Sequence, residues 1–205
     1  MIKNDFLISV SAEPADNLAL YLGELYEISR AVSIGIHADF MDGKFVPRTR
    51  FWNDADIAEF GKYADLLPVD VHIMAEANAD LTRFAPYNFR SISTHIENGA
   101  APTGGIVIDN DTEIEPHLAE IKKHKFITLM SVKAGASGQS FNPKVLEKIR
   151  AVREFNPAAV IIVDGGINET NLKSVVSAGA DVVVMGSAVY KQGNKTEYIK
   201  GLYKL

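Results

Sequence analysis

The sequence predicts an α/β fold, a (β/α)8 barrel forming a single domain over residues 1–205. Three observations predict it. Eight short apolar or β-branched runs recur along the chain. Segments with helical spacing of apolar residues separate most of them. Several runs carry a ligand-type polar side chain near their C-terminal ends, where such barrels place their sites. The length suits one barrel domain. An open doubly wound sheet is the competing arrangement, and eight units close more naturally.

The elements follow in order. Phe6 to Val10 is the first strand. Pro14 opens a helix, because proline suits the first helical position, and Leu18, Leu22, Leu25 and Ile28 form its buried stripe. Ile34 to Asp39 is strand two, ended by a turn signal at Asp42-Gly43, with a helix near Asp54 to Tyr63. Val69 to Ile73 is strand three, with a helix near Asn78 to Pro86, and Ser91 to His95 is strand four. Only Glu97 to Gly104 then precedes the run Gly105 to Ile108. Parallel strands usually need a dozen or more connecting residues, yet eight extended residues can span about 26 Å. The fourth helix is therefore expected to be replaced by an extended loop. Asp111 or Thr112 caps a helix carrying Ile114, Leu118 and Ile121. Phe126 to Val132 is strand six, and Asn142-Pro143 starts a helix with Leu146, Ile149 and Val152 on one face. Val160 to Asp164 is strand seven. Asn168 caps a helix ending at Gly179, Asp181 to Met185 is strand eight, and a last helix runs near Thr196 to Leu202.

Composition narrows the function classes. Hydrophobic residues make up 47% and charged residues 23%, which is ordinary for a globular chain. A formal net charge of −5 with no basic cluster argues against nucleic acid or an anionic membrane as partner. There is no cysteine, hence no disulfide framework and no thiol nucleophile. Met1 to Asp5 lacks a signal-peptide run, and no apolar run reaches about 18 residues. A cytoplasmic location is the expectation, and the sequence leaves a homo-oligomer open.

The chemistry centres on Ile34-Gly35-Ile36-His37-Ala38-Asp39-Phe40-Met41-Asp42-Gly43. Strand side chains alternate, so His37 and Asp39 share a face. They can be two ligands of one metal ion or a buried hydrogen-bonded pair. His72 in Val69-Asp70-Val71-His72-Ile73-Met74 and Asp164 before Gly165-Gly166 complete two imidazoles and two carboxylates at strand ends.

The strings IHADFMDGKFVP, VDVHIM, MSVKAGASGQSF, VDGGIN and AGADVVVMGSAVY resemble the ribulose-phosphate 3-epimerase family in content, order and spacing, over residues 34 to 190. The resemblance implies that His37, Asp39, His72 and Asp164 hold one divalent metal ion, a donor set that suits Zn, Fe, Mn or Co. It assigns Asp39 and Asp164 as the acid/base pair for inversion at C3 of a phosphorylated ketose, D-ribulose 5-phosphate to D-xylulose 5-phosphate, through an enediolate. Phosphate binding is expected from Gly165, Gly166, Gly186 and Ser187, with Gly138 and Gln139 in a loop over the substrate. Glycine pairs more often mark only tight turns. Met41, Met74 and Met130 match family methionines that line the site, although methionine often just fills a core. His95 reads as a rim or core histidine. Trp52 and Arg48-Thr49-Arg50 read as a solvated loop, or as a substrate or interface rim.

The chain also departs from the pattern. Aligning Ser11-Ala12 with the family's Pro-Ser-Ile-Leu-Ser string puts Ile8 at the substrate-touching serine, with Ser9 one residue off. Lys133-Ala134 replaces Asn-Pro, Ala136-Ser137 replaces Phe-Gly, Arg48 replaces Asn and Lys44 replaces His. The substrate wall is thus more basic. Two alternatives follow: an epimerase of another ketose phosphate, such as allulose 6-phosphate, or a non-catalytic metal-binding barrel. A metal-free decarboxylase is disfavoured, since Asp39-Phe40-Met41 has no lysine where D-x-K-x-x-D needs one.

Overall fold

A computed structural model describes residues 6–99, 104–135 and 138–205. Its nine strands are β1 (Leu7–Ser11), β2 (Ile34–Asp42), β3 (Thr49–Arg50), β4 (Val69–Met74), β5 (Ser91–His95), β6 (Gly105–Ile108), β7 (Phe126–Met130), β8 (Val160–Asp164) and β9 (Val182–Met185). All except β3 pair in parallel, in the order β1-β9-β8-β7-β6-β5-β4-β2, and β1 pairs with β2 to close the ring. This is the expected barrel. β3 was not foreseen: it is a two-residue strand that folds back antiparallel on the end of β2, with Met41 opposite Arg50.

Alternation along the strands builds two cores. Ile36, Ala38 and Phe40 of β2 belong to the large cluster between strands and helices. There Phe40 packs edge-on against Phe60 at 5.3 Å and Phe84 at 5.0 Å. His37, Asp39 and Met41, on the other face of β2, point into the barrel. The register sets Asp39 beside His72, Met41 beside Met74 and Met130 beside Asp164.

The helices are α1 (Leu18–Ser29), α2 (Asp54–Gly61), α3 (Leu118–Lys123), α4 (Val145–Phe155), α5 (Leu172–Ala178), α6 (Ser187–Tyr190) and α7 (Lys195–Leu202). Several differ from expectation for local reasons. α1 starts after Asn17, whose side chain takes the Leu20 N–H at 3.1 Å, so Pro14 lies in a turn before it. The helix expected over Asn78 to Pro86 is a single 3-10 turn, Thr82–Phe84. Asp80 accepts the N–H and hydroxyl of Thr82, and Pro86 follows, so turn chemistry prevails over helical spacing. The helix after β8 starts at Leu172, because Asn168 spends its side chain on Thr170. α6, directly after β9, has no counterpart in the sequence reading. Between β5 and β6 the described residues hold one 3-10 turn, Ile96–Asn98, ended by a left-handed Gly99; the rest of the expected loop, residues 100–103, lies outside the described residues, as do Ala136 and Ser137. Among the described residues no helix is long and apolar enough to cross a membrane.

Candidate active site

β2, β4 and β8 bring four of the predicted side chains together. One ligand atom each from His37, Asp39, His72 and Asp164 lies within 4.8 Å of all the others. His37 Nε2 is 3.3 Å from Asp39 Oδ1 and 3.7 Å from Asp164 Oδ2. His72 Nδ1 is 3.0 Å from Asp39 Oδ1 and 4.0 Å from Asp164 Oδ2. Neither ring nitrogen of the buried His37 completes a hydrogen bond with protein, so its approach to Asp39 is close-range attraction rather than an aligned bond. Donors around a four-coordinate ion with bonds of about 2.1 Å stand about 3.4 Å apart. The cluster has that spacing, orphaned nitrogen on His37 and a nitrogen/oxygen donor set. It can hold a metal ion.

Electrostatics separate the four groups. Burial lowers the His37 pKa, but the Asp39 and Asp164 carboxylates reverse this and bring it up to about 9. Burial holds His72 down, at about 4. Burial works against ionisation of Asp39, but the charge on His37 and the close approach of both imidazoles outweigh it and hold the carboxylate well below the usual range. Burial and the neighbouring charge of Asp39 push Asp164 up to about 7. Two adjacent carboxylates therefore hold protons very differently.

Above the cluster opens a cavity of about 210 Å³. Asp39, Asp164, Met41, Met74 and Met130 line it, as do Gly138, Gln139, Gly165, Gly166, Gly186 and Ser187. Every residue expected at the substrate side thus faces one space, while His37 and His72 lie buried beneath it. Gly166 has φ +61°, and a Cβ there would stand 2.6 Å from the Phe141 nitrogen, so the loop after β8 needs glycine for both conformation and space. Lys133 also lines the cavity. Arg48 does not; it pairs with Glu13, which does.

Some residues at the site escaped the sequence reading. Ser11 Oγ donates to Asp39 Oδ2 at 3.1 Å and accepts the Glu13 N–H at 3.2 Å. Its register beside His37 was the available signal. Lys191 reaches the cavity from the end of α6. His95 is a fully buried core histidine, as one of its two expected readings had it, and what the sequence did not show is its partners: its Nε2 meets His72 Nε2 at 2.9 Å, and its Nδ1 meets Glu97 Oε2 at 3.0 Å. One wall is tied down throughout. Asp42 accepts the N–H groups of Lys44, Phe45 and Glu76, and Arg50 donates to the Glu13 and Ala15 carbonyls.

A profile of the ribulose-phosphate 3 epimerase family matches residues 7–190. The chain belongs to the ribulose-phosphate 3-epimerase family. A ribulose-phosphate 3-epimerase of Helicobacter pylori is 35% identical over 184 residues, covering 82% of this chain and 84% of that protein. One from Aquifex aeolicus is 35% identical over 173 residues, covering 76% and 77%. The fold recurs more widely. A tryptophan synthase α-subunit from Pyrococcus furiosus superposes with a TM-score of 0.63 over 100% of this chain and 98% of that one, at 14% identity, a likeness of fold alone. The protein is an isomerase of the epimerase type, from a family that acts on phosphorylated sugars.

Proposed function

We propose that this epimerase inverts C3 of a ketose phosphate, D-ribulose 5-phosphate to D-xylulose 5-phosphate, with one divalent metal ion (Zn, Fe, Mn or Co) held by His37, Asp39, His72 and Asp164. The single observation that carries this is the convergence of those four side chains within 4.8 Å at the floor of one cavity. The ion would supply Lewis acidity, polarising the ketone and stabilising the negative charge that builds on its oxygen. The chain's own groups do the proton work. Asp39, kept ionised, takes the C3 proton from one face. Asp164, held up near neutrality, returns a proton to the other face, and the roles exchange in the reverse direction. Ser11 fixes the Asp39 carboxylate through Oδ2. Met41, Met74 and Met130 shape an apolar wall around the reacting carbon. Backbone amides near Gly165, Gly166, Gly186 and Ser187, together with the Gly138-Gln139 loop, bind the phosphate. We read residues 1–205 as one cytoplasmic barrel domain.

A second substrate remains in view for a specific reason. Glu13, Lys133 and Lys191 line the cavity and give it a more charged wall than the family strings imply. A longer ketose phosphate, such as allulose 6-phosphate, would place an added hydroxyl among these charges.

The deciding experiment runs a panel of ketose phosphates in D2O on protein of measured metal content, stopped early. Deuterium at C3 is then measured in both epimers. Two carboxylates on opposite faces predict deuterium in the product from the first turnovers and little in recovered substrate. Transfer of the original proton into product would remove the paired roles of Asp39 and Asp164. The substrate with the highest kcat/KM settles pentose against hexose.

A further inference from the structure

Behind the cluster, a line of groups leads away from the cavity. His72 Nδ1 lies 3.0 Å from Asp39 Oδ1, His72 Nε2 lies 2.9 Å from His95 Nε2, and His95 Nδ1 lies 3.0 Å from Glu97 Oε2. Both rings are buried, and Phe45 packs on His95 with ring centres 4.7 Å apart. Glu97 is anchored in turn: its Oε1 accepts the Asp109 N–H at 2.7 Å.

The line contains three contacts. Two neutral imidazoles supply only two ring protons for them. One contact must therefore take a third proton or a cation. Glu97 decides which. Hydrogen bonds from His95, Thr112 and the Asp109 amide outweigh its burial and hold it ionised, so it can only accept. His95 Nδ1 must then donate, which leaves His95 Nε2 as an acceptor. His72 Nε2 must donate to it, which leaves His72 Nδ1 with a bare lone pair. That lone pair faces Asp39, an acceptor itself, inside the four-residue cluster. Only a positive centre reconciles the two.

We propose that Glu97, acting through His95, is a positioning residue that fixes the proton of His72 on Nε2 and so reserves His72 Nδ1 for a cation. The proposal rests on the metal-site reading above and adds how the ligand set is selected. A histidine ligand needs its other nitrogen to donate to an acceptor, which is usually a carboxylate, carbonyl or water. Here the acceptor is a second histidine, and the carboxylate stands one ring further out.

The test is Glu97→Gln. The Asp109 amide still requires an oxygen, so the new amide NH2 faces His95. The whole line then reverses: the glutamine donates to His95 Nδ1, His95 Nε2–H donates to His72 Nε2, and His72 Nδ1–H donates to Asp39. All three contacts are satisfied without a cation. The expected result has three parts. Metal-free Glu97→Gln melts no lower than wild type. Nitrogen-15 NMR of the metal-free proteins shows His95 Nδ1 protonated in wild type and bare in the variant. Zinc affinity, measured by chelator competition, falls about 10- to 100-fold. A Glu97 that merely supported the loop would instead lower the melting temperature and leave the ring protons unmoved. Zinc affinity within about twofold of wild type, or His95 Nδ1 protonated in both proteins, would overturn the proposal. Should Glu97→Gln fail to fold, His95→Phe keeps the ring and removes the acceptor, with the same loss of zinc affinity expected; unchanged affinity would overturn the relay. If wild type takes up no Zn, Fe, Mn or Co, the metal reading falls, and the proton switch at His95 alone still decides the relay.

Discussion

The inner wall of the barrel divides into two arcs. From β1 to β5 the inward positions carry Ser9, Ser11, His37, Asp39, Asp70, His72, Ser91, Ser93 and His95, all buried, with Met41 and Met74 at the cavity end. From β6 to β9 they carry mainly Val107, Met130, Ile162, Val182 and Val184. Thr128 and Asp164 are the polar exceptions, Asp164 at the very end of β8. A buried polar group must find a partner or a charge to offset its desolvation. Much of the first arc therefore resolves into lines of contact, such as Asp70 with Arg90 and Ser91, or Asp39 with His72, while Ser9 Oγ and Ser93 Oγ complete no hydrogen bond among the described residues. The second arc needs only good packing. Three of the four clustered side chains belong to the first arc, and the second sets apolar surface beside them, which strengthens charge interactions.

The sharpest way to break this contrast is Asp164→Asn, which keeps the shape and removes the acid. Loss of a general acid should lower kcat by about 10³- to 10⁴-fold, or about 4 to 5 kcal/mol. C3–H exchange measures it, and a loss below tenfold would take Asp164 out of the proton transfer. Next is Arg90→Met in the polar arc, deeper in the barrel. It strands the buried Asp70 carboxylate and should cost about 3 kcal/mol, roughly 10 °C in Tm by calorimetry.

Third is pH. Metal must displace protons from His37, held up at about 9, and Asp164, held up at about 7. Both shifts are upward, so protonation competes more as pH falls. Metal affinity at the proposed site should rise roughly a thousandfold from about pH 6 to 8, with protons released on binding. A flat profile would mean the ion sits elsewhere. Smaller again is Gly186→Asp on the rim of the apolar arc. A Cβ there meets nothing closer than 3.5 Å, so it is accommodated, and the carboxylate it carries would stand beside the proposed phosphate site. KM should rise at least about tenfold with a modest change in Tm. The smallest effect is Ile162→Val in the apolar arc: about 1 kcal/mol of stability, with kcat unchanged.

The two arcs also differ in how far the sequence exposes them. IHADFMD and VDVHIM alternate between faces, so their polar members stand out at a period of two, and three of the four clustered residues could be read from them, with Asp164 marked only as the polar end of an apolar run. VIIVD and VVVM are apolar on both faces and announce only that they are strands. What the sequence hid is through-space. His95 and Glu97 gain their role from contacts between neighbouring strands and loops, which no spacing along the chain encodes. Ser11 was obscured by matching a string instead of a register. β3 is too short for any periodicity, and Asp80 undid a plausible helix with two local hydrogen bonds. Strand alternation is a local constraint and legible; side-chain partnership is a tertiary one.

Asp42 and Arg50 tie down the backbone behind Met41 and Glu13, which line the cavity wall, and this has a consequence for recognition. Ordering a rotamer-rich side chain on binding costs about 0.5 to 1.5 kcal/mol. Asp42 anchors three amides and Arg50 two carbonyls within the protein's own hydrogen bonds. The conformational entropy of this wall is thus surrendered once, during folding, and not again at each encounter with a sugar. Selectivity exerted here is that of a fixed template, which excludes misfit ligands by shape and does not remould around them.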